Sequence, residues 1–298
     1  MANLKEVRER ITSVGTTQQI TKAMKLVAAS KLKRAQDRIT QMRPYSDKLY
    51  GILEHIMANV DTDELNLDLG AEREERDTVI VLFTSDKGLC GAFNANLIKR
   101  AKALLDGEYA QAVRERRVKL LCIGKRGADY FKNHPVEVDA SSVDLFNHLS
   151  FDDAADVADM LMKGFLNTRF DKVICIYSKF VNAATQDFTV EQFLPVQGIE
   201  PDEDDEVESL AADYIFEPEK STLIHELVPK ILRTRFYRYL LDNNASEHGS
   251  RMVAMEQATE NANTLLGELK LEYNRERQAA ITTEILEIVG GAAALEEG

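Results

Sequence analysis

The stretch FTSDKGLCGAFNANL, residues 83–97, contains the residue types that come closest to a chemical site. Its pattern is that of a strand end, a loop with two glycines and the start of a helix, and backbone N–H groups at such a helix start can bind phosphate. Gly88 and Gly91 do not fit the G-x-G-x-x-G spacing, and the sequence has no G-x-x-x-x-G-K-[ST] motif. The favoured interpretation is therefore a structural turn with Gly88 or Gly91 at positive φ, and a nucleotide-binding enzyme is the alternative.

A thiol nucleophile is the second chemical possibility, because Cys90 lies in the same loop. None of the five histidines falls in a recognisable catalytic motif, and no His/Cys cluster has the spacing of metal ligands. Neighbouring carboxylates are frequent in residues 200–208, but that acidic segment is predicted to be a linker, in which no pocket would perturb them. The sequence thus predicts no catalytic residue, no metal site and no cofactor.

The three cysteines and the hydropathy of the chain indicate its broad class. An odd number of cysteines does not make a disulfide framework, and the apolar surroundings of Cys122 and Cys175 predict buried thiols in a reducing compartment. No stretch approaches 18 consecutive apolar residues, so the sequence predicts no transmembrane helix.

The charge of the chain is unevenly distributed. The net charge is −13, yet residues 1–43 hold ten Lys/Arg and three Asp/Glu, whereas residues 200–219 hold ten acids and no base. A basic segment on an acidic protein suggests an acidic partner, and two solvated faces of opposite sign are the alternative. Nucleic acid is a weaker candidate, because the basic segment lacks aromatic residues that stack on bases.

Both ends of the chain carry apolar residues at steps of three and four, which is the pattern of a coiled coil. The first series begins at Leu4 and reaches Met42, with polar Gln18 and Thr21 interrupting it. The second series runs from Met252 to Leu295. We predict that the two long helices, at about 3–58 and 210–290, pair antiparallel, and that Pro44 either kinks or ends the first.

The sequence pattern in the middle of the chain is typical of an α/β domain. Short apolar runs at 77–83, 117–124 and 171–178 predict parallel strands covered on both faces, whereas residues 187–196 alternate and predict an edge or antiparallel strand. Predicted helices near 92–105, 127–133 and 153–167 separate them. The expected organisation is a coiled-coil helix over 1–60, a small doubly wound, Rossmann-like α/β domain over 75–200 and a second coiled-coil helix over 209–298, with no role assigned to 61–76 or 200–208.

Three motifs give the chain a resemblance to the γ subunits of F-type ATP synthases. They are ITKAMKLVAASKLKRAQ at 20–36, SDKGLCGAFN at 85–94 and the long C-terminal segment at 250–294. The signature I-T-x-E-x-x-E-x-x-x-G-A-x-A is filled without departure at positions 281–294, and the resemblance extends over the whole chain in order. It implies a central shaft that stands inside a ring of α and β subunits and itself hydrolyses nothing. In that family the foot of the shaft binds the ε subunit and the c-ring, and proton flow turns it.

The resemblance also implies three sets of contact residues. The contacts to β subunits are Lys22, Met24, Lys25, Arg277 and Gln278. The contacts to the sleeve at the top of the ring are Ile285, Ile288, Ala292 and Leu295. The contacts to the c-ring are Tyr214, Phe216 and Glu217, in the motif DYIFEP.

Charged residues occur within the first ten positions, MANLKEVRER, and the N-terminus has no transit-peptide pattern. This favours a bacterial protein held at the cytoplasmic face of the inner membrane over one on the mitochondrial matrix side. A static coiled-coil scaffold, which would need no asymmetric ring of partners, is the remaining alternative.

Overall fold

The computed structural model describes residues 4–57, 69–71, 73–146, 149–196 and 220–296, without the side chains of 43, 47, 50, 53–57, 220–224 and 293–296. A very long helix lies near each end of the chain. Helix α1 spans Leu4–Met57 and continues through Pro44, and helix α6 spans Lys220–Glu296 and continues through Pro229. The sequence predicts that Pro44 either kinks or ends this helix. Since the helix continues through Pro44, the prediction that it ends there is wrong.

Five strands and four shorter helices lie between α1 and α6. The strands are β1 (Thr78–Phe83), β2 (Val118–Ile123), β3 (Glu137–Asp139), β4 (Lys172–Phe180) and β5 (Gln186–Leu194). The helices are α2 (Phe93–Asp106), α3 (Ala110–Arg114), α4 (Lys125–Phe131) and α5 (Phe151–Leu166). The fold class is confirmed: long terminal helices accompany a mostly parallel sheet.

The sheet has the strand order β3-β2-β1-β4-β5. All neighbours are parallel except β4 and β5, which pair antiparallel, as the alternating pattern of residues 187–196 predicts. Every residue of β1 is buried, because helices cover both faces of the central strands. One face packs on α5 and on residues of α6, and the other packs on α2, α3 and α4.

Local sequence explains where these elements begin and turn. Ser150 is the N-cap of α5, because its side chain accepts a hydrogen bond from the Asp153 N–H at 3.1 Å. Gly124 joins β2 to α4 at φ 91°, and a Cβ there would lie 2.1 Å from the Thr84 carbonyl oxygen. This position can therefore be occupied only by glycine.

The described chain divides into two compact units. Unit 1 consists of Met1–Val27 with Met252–Gly298, and unit 2 consists of Ala28–Arg251. In unit 1 the residue numbers of contacting pairs run in opposite directions: Gln18 meets Asn263 and Thr21 meets Thr259. The two helices of unit 1 are thus antiparallel, as predicted.

Candidate functional site

The basic residues of α1 in unit 1 differ in their surroundings. Lys22 is exposed, Met24 is half-buried and Lys25 forms an ion pair with Glu256 of α6. Since both members of that pair are more than a third exposed, the pair contributes little stability. Lys22 therefore offers its charge to solvent, while the charge of Lys25 is shared with α6.

A polar layer crosses the helix pair at the point where the apolar series of α1 is interrupted. The Gln18 amide donates to Asn263 Oδ1 at 2.6 Å, and the Thr21 and Thr259 hydroxyls lie 2.8 Å apart. Thr21 is buried, with 8% of its surface exposed. Each polar group placed in the seam thus has a partner on the opposite helix, which fixes how the helices align.

The predicted contacts on α6 lie on an exposed stretch of helix. Arg277 and Gln278 are exposed, and within the described residues neither side chain has a hydrogen-bond or ion-pair partner. Ile285 and Ile288 are exposed to 54% and 71%, and Ala292 is exposed as well. The Leu295 side chain lies outside the description. Within the described residues, the chain's own side chains therefore leave this apolar helix uncovered.

The predicted contacts in the motif DYIFEP are not structurally described. Tyr214, Phe216 and Glu217 all lie between the described residues 196 and 220. The same holds for the acidic segment at 200–208 and for most of 61–76. The assignment of a c-ring contact to these residues stays a prediction.

The loop after β1 has the geometry of a structural turn. Gly91 has φ 59°, as predicted, and Leu89 also has a positive φ of 66°. The Asn94 side chain closes the turn, because its Oδ1 accepts from the Ser85 N–H at 3.0 Å and its Nδ2 donates to Ser85 Oγ at 2.8 Å. The loop thus uses its own polar groups to hold its shape.

Cys90 does not have the surroundings of a nucleophile. Burial raises the pKa of its thiol, whereas a reactive cysteine needs a lowered pKa. Its polar neighbours are Asn94 and Ser85, not a histidine. Cys122 and Cys175 are also buried free thiols, as predicted.

The loop carbonyls accept hydrogen bonds from α6, a contact that no sequence motif predicts. Ser250 donates to the Cys90 carbonyl at 2.8 Å, and Arg251 donates to the carbonyls of Gly88 at 2.6 Å and Lys87 at 3.0 Å. The feature of the sequence that could have indicated this contact is the run DNNASEHGSR at 242–251, which places many polar residues inside a long helix.

Comparison with known proteins decides the family. The profile of the ATP synthase family matches residues 3–295. A protein of Cytophaga hutchinsonii named ATP synthase gamma chain is 50% identical, over 99% of both chains, and one of Flavobacterium johnsoniae with the same name is 49% identical over 99% of both. This chain belongs to the ATP synthase gamma-chain family. The resemblance drawn from the motifs is confirmed, and with it the prediction of a central-stalk subunit.

Solved structures of the family have a similar fold. A chain of the central stalk and c-ring part of Tetrahymena thermophila mitochondrial ATP synthase has a TM-score of 0.56 at 26% identity, over 80% of this chain and 99% of that one. A chain from the Euglena gracilis mitochondrial ATP synthase has a TM-score of 0.64 over 99% of this chain and 95% of its own, and at 20% identity it supports the fold alone.

The described residues contain neither a candidate membrane span nor a candidate metal centre. No helix there combines the length and the apolar character needed to cross a membrane. Over the same described ranges, no group of three or more His, Cys, Asp or Glu side chains is arranged to hold a metal ion.

Proposed function

We propose that this chain is the rotating shaft of a proton-driven F-type ATP synthase and is not itself catalytic. Turning of the c-ring would turn the shaft, and its asymmetry would change the nucleotide affinities of the surrounding α and β subunits. The observation that carries the proposal is the apolar end of α6. Side chains such as Ile288 are left exposed, and apolar surface of this extent indicates a partner.

The distribution of apolar residues on this end favours an enclosing partner. With successive residues turned by 100°, the apolar residues between 281 and 292 cover about 160° of the helix circumference, wider than a coiled-coil seam. Gly290 and Gly291 carry no side chains on the remaining arc. A slender tip of this kind suits a sleeve in which it turns, with Ile285, Ile288, Ala292 and Leu295 as contacts.

The contacts to β subunits involve charge and hydrogen bonding. Lys22 and Lys25 lie beside Met24 on the basic helix, which suits an acidic loop of a β subunit. On the other helix, Arg277 and Gln278 have no side-chain partner among the described residues, and a guanidinium fork suits a carboxylate. We assign the ε subunit and the c-ring to the foot, with Tyr214, Phe216 and Glu217 as contacts. The chain would thus be peripheral at the cytoplasmic face of a bacterial inner membrane.

A rotation experiment tests this function directly. Because the cysteines at 90, 122 and 175 are buried, a single Asn133→Cys substitution on the exposed surface provides one accessible thiol. The assembled complex is immobilised through its β subunits, and a bead is attached to the new thiol. We expect the bead to turn when ATP is added and to stop when ATP is removed. A bead that never turns in a complex that hydrolyses ATP would refute the shaft and favour a static scaffold.

Calorimetry with ATP and Mg²⁺ tests the alternative of a nucleotide-binding enzyme. The glycines of the loop at 85–94 lack a phosphate-binding spacing, so we expect no saturable binding to the purified chain. Saturable binding that is lost when Ser85 and Asn94 are replaced by alanine would restore the enzyme interpretation.

A further inference from the structure

The sheet has a position at which proteins of this architecture bind ligands. In a doubly wound sheet, ligands bind outside the carboxyl ends of the strands, where the strand order reverses. Here the chain runs from β1 to β2 and β3 on one side and returns to β4 on the other side, so the reversal lies between β1 and β4. The crevice at that position is flanked by the loop after β1, residues 84–92, and by the end of β4 at Ser178.

Side chains of α6 occupy this crevice. Asn243 Oδ1 accepts from the Ser178 N–H at 3.2 Å, and the Ser246 hydroxyl donates to the Ser178 carbonyl at 3.2 Å. One turn further along, Ser250 binds the Cys90 carbonyl. The spacing of these three residues puts them on one face of the helix. Asn243 and Ser246 are almost completely buried, so the crevice is filled.

Arg251 completes the set with a network of charged hydrogen bonds. Its guanidinium donates to the carbonyls of Lys87 and Gly88, and its Nε donates to Glu247 Oε1 at 2.8 Å. Leu89 lies between the bound carbonyls of Gly88 and Cys90. Its φ is 66°, a backbone conformation that residues with bulky side chains rarely adopt. Its neighbours' bonds to α6 compensate for this backbone strain.

The backbone of α6 also approaches the turn between β4 and β5. A Cβ on Gly249 would lie 3.1 Å from the Cα and from the carbonyl oxygen of Ala183. The helix thus meets the loop after β1 with polar side chains and meets the loop after β4 with a bare glycine. Both sides of the crevice are in contact with the same two turns of α6.

We propose that residues 243–251 of α6 are the built-in ligand of this crevice, and that Arg251 is a positioning residue that fixes the angular setting of this segment against the α/β domain. Apolar packing alone resists rotation of a helix weakly, because it is not directional. A rigid guanidinium fork that binds two carbonyls of the loop is directional, and Glu247 on the same helix holds the fork in place. The second part of the proposal rests on the proposed shaft function, because turning force would then pass between the domain and α6 through this contact.

The test uses Arg251→Met in the assembled complex, with Arg233→Gln as the matched control. Arg233 lies on the same helix and forms a bidentate ion pair with Asp159 of α5, away from the crevice. Hydrogen exchange of the amides at 85–92 is measured first. We expect exchange about tenfold faster in Arg251→Met, since charged hydrogen bonds are lost, and a change below about twofold in Arg233→Gln. Should Arg251→Met fail to assemble, Arg251→Lys and Ser250→Ala provide milder versions of the same comparison.

The second measurement is the number of protons pumped per ATP hydrolysed, which a loss of stability alone would not change. We expect this ratio to fall in Arg251→Met, to recover partly in Arg251→Lys and to stay at the wild-type value in Arg233→Gln. If hydrogen exchange at 85–92 is unchanged in Arg251→Met, the proposal that residues 243–251 of α6 are the built-in ligand of the crevice is wrong. If exchange is faster but the number of protons pumped per ATP is unchanged, the proposed positioning role of Arg251 is wrong. Failure of the shaft function itself would appear differently, as absence of ATP-driven pumping in the wild-type complex with the exchange results intact.

Discussion

Two segments of α6 have similar apolar patterns but opposite surroundings. Between residues 228 and 241 the apolar side chains are buried in the core of unit 2, and Phe236 is completely buried. Between residues 281 and 289 the apolar side chains are exposed, from 46% at Ile281 to 71% at Ile288. One helix thus contains a segment covered by its own chain and a segment that the described residues of the chain leave exposed.

The comparison shows what apolar periodicity can and cannot reveal. A stripe at steps of three and four predicts that a helix face is covered, because apolar surface leaves water favourably. It does not reveal whether the cover belongs to the same chain. For the second segment, the motif I-T-x-E-x-x-E and the family resemblance that it carries predict a cover made by other chains.

Core substitutions give the largest difference between the segments. We expect Phe236→Ala to lower the free energy of unfolding of the isolated chain by about 3–5 kcal/mol, because it leaves a cavity. Ile288→Ala should change it by less than about 0.5 kcal/mol, because that side chain is already in water. Urea unfolding measures both. A cost at Ile288 comparable to that at Phe236 would mean that the tip is covered within the chain.

Hydrogen exchange on the two segments is the next test. In the isolated chain we expect fast exchange at 281–292 and slow exchange at 228–241, since the described residues leave the side chains of the tip exposed. In the assembled complex we expect exchange at the tip to slow by roughly a hundredfold, while 228–241 changes little. Equal protection of the tip in both preparations would contradict the sleeve.

Glu247 tests the polar side of the buried segment. Although its burial favours the neutral form, His248 and Arg251 lower the pKa of this carboxyl overall. We expect Glu247→Gln to lower the free energy of unfolding by about 1.5–3 kcal/mol at pH 7. Because the pKa is lower in the folded chain, this contribution is present above about pH 4.3 and disappears as the pH falls through the folded-state pKa. Urea unfolding of both proteins at pH 7 and at several values below pH 4 should show the difference in the free energy of unfolding shrinking once the pH falls through the folded-state pKa. A difference that widens as the pH falls would reverse the assigned sign.

The smallest effect is expected where the exposed segment begins. We expect Arg277→Leu with Gln278→Leu to leave the chain folded and assembled and to lower ATP turnover about tenfold, which is the effect of losing one charged hydrogen bond of about 1.5 kcal/mol. Arg275→Leu is the matched control for loss of an arginine, because Arg275 is exposed on the same helix and lies on the face opposite Arg277. Subunit content on a gel and hydrolysis by the purified complex are measured together. Full turnover with normal assembly would show that Arg277 and Gln278 form only a solvated surface.

The regular parts of the fold could be predicted from the sequence because they carry strong patterns. Strands β1, β2 and β4 coincide with continuous apolar runs, and β5 with an alternating one. The elements α3 and β3 were missed, because Ala110–Arg114 and Glu137–Asp139 are too short to show a period.

The contacts that hold α6 in the crevice could not be predicted for a different reason. Their acceptors are backbone carbonyls of Lys87, Gly88 and Cys90, and a carbonyl leaves no trace in residue types. The polar run at 242–251 indicated only that part of α6 was unsuited to a simple apolar face. The predicted contact residues at the tip come from the family resemblance and stay predictions, as do those at 214–217, which lie outside the described residues.

The polar layer in unit 1 has a consequence for how the helix pair behaves under load. A seam made only of alanine, leucine and valine would find nearly the same packing after one helix slid by a heptad, a step of about 10.5 Å. Such a slip would leave Gln18 and Thr21 without Asn263 and Thr259 and would place polar groups against apolar neighbours. The layer therefore opposes sliding of one helix along the other. The pair can bend and twist as one body, but its two helices cannot slip past each other during repeated cycles of strain.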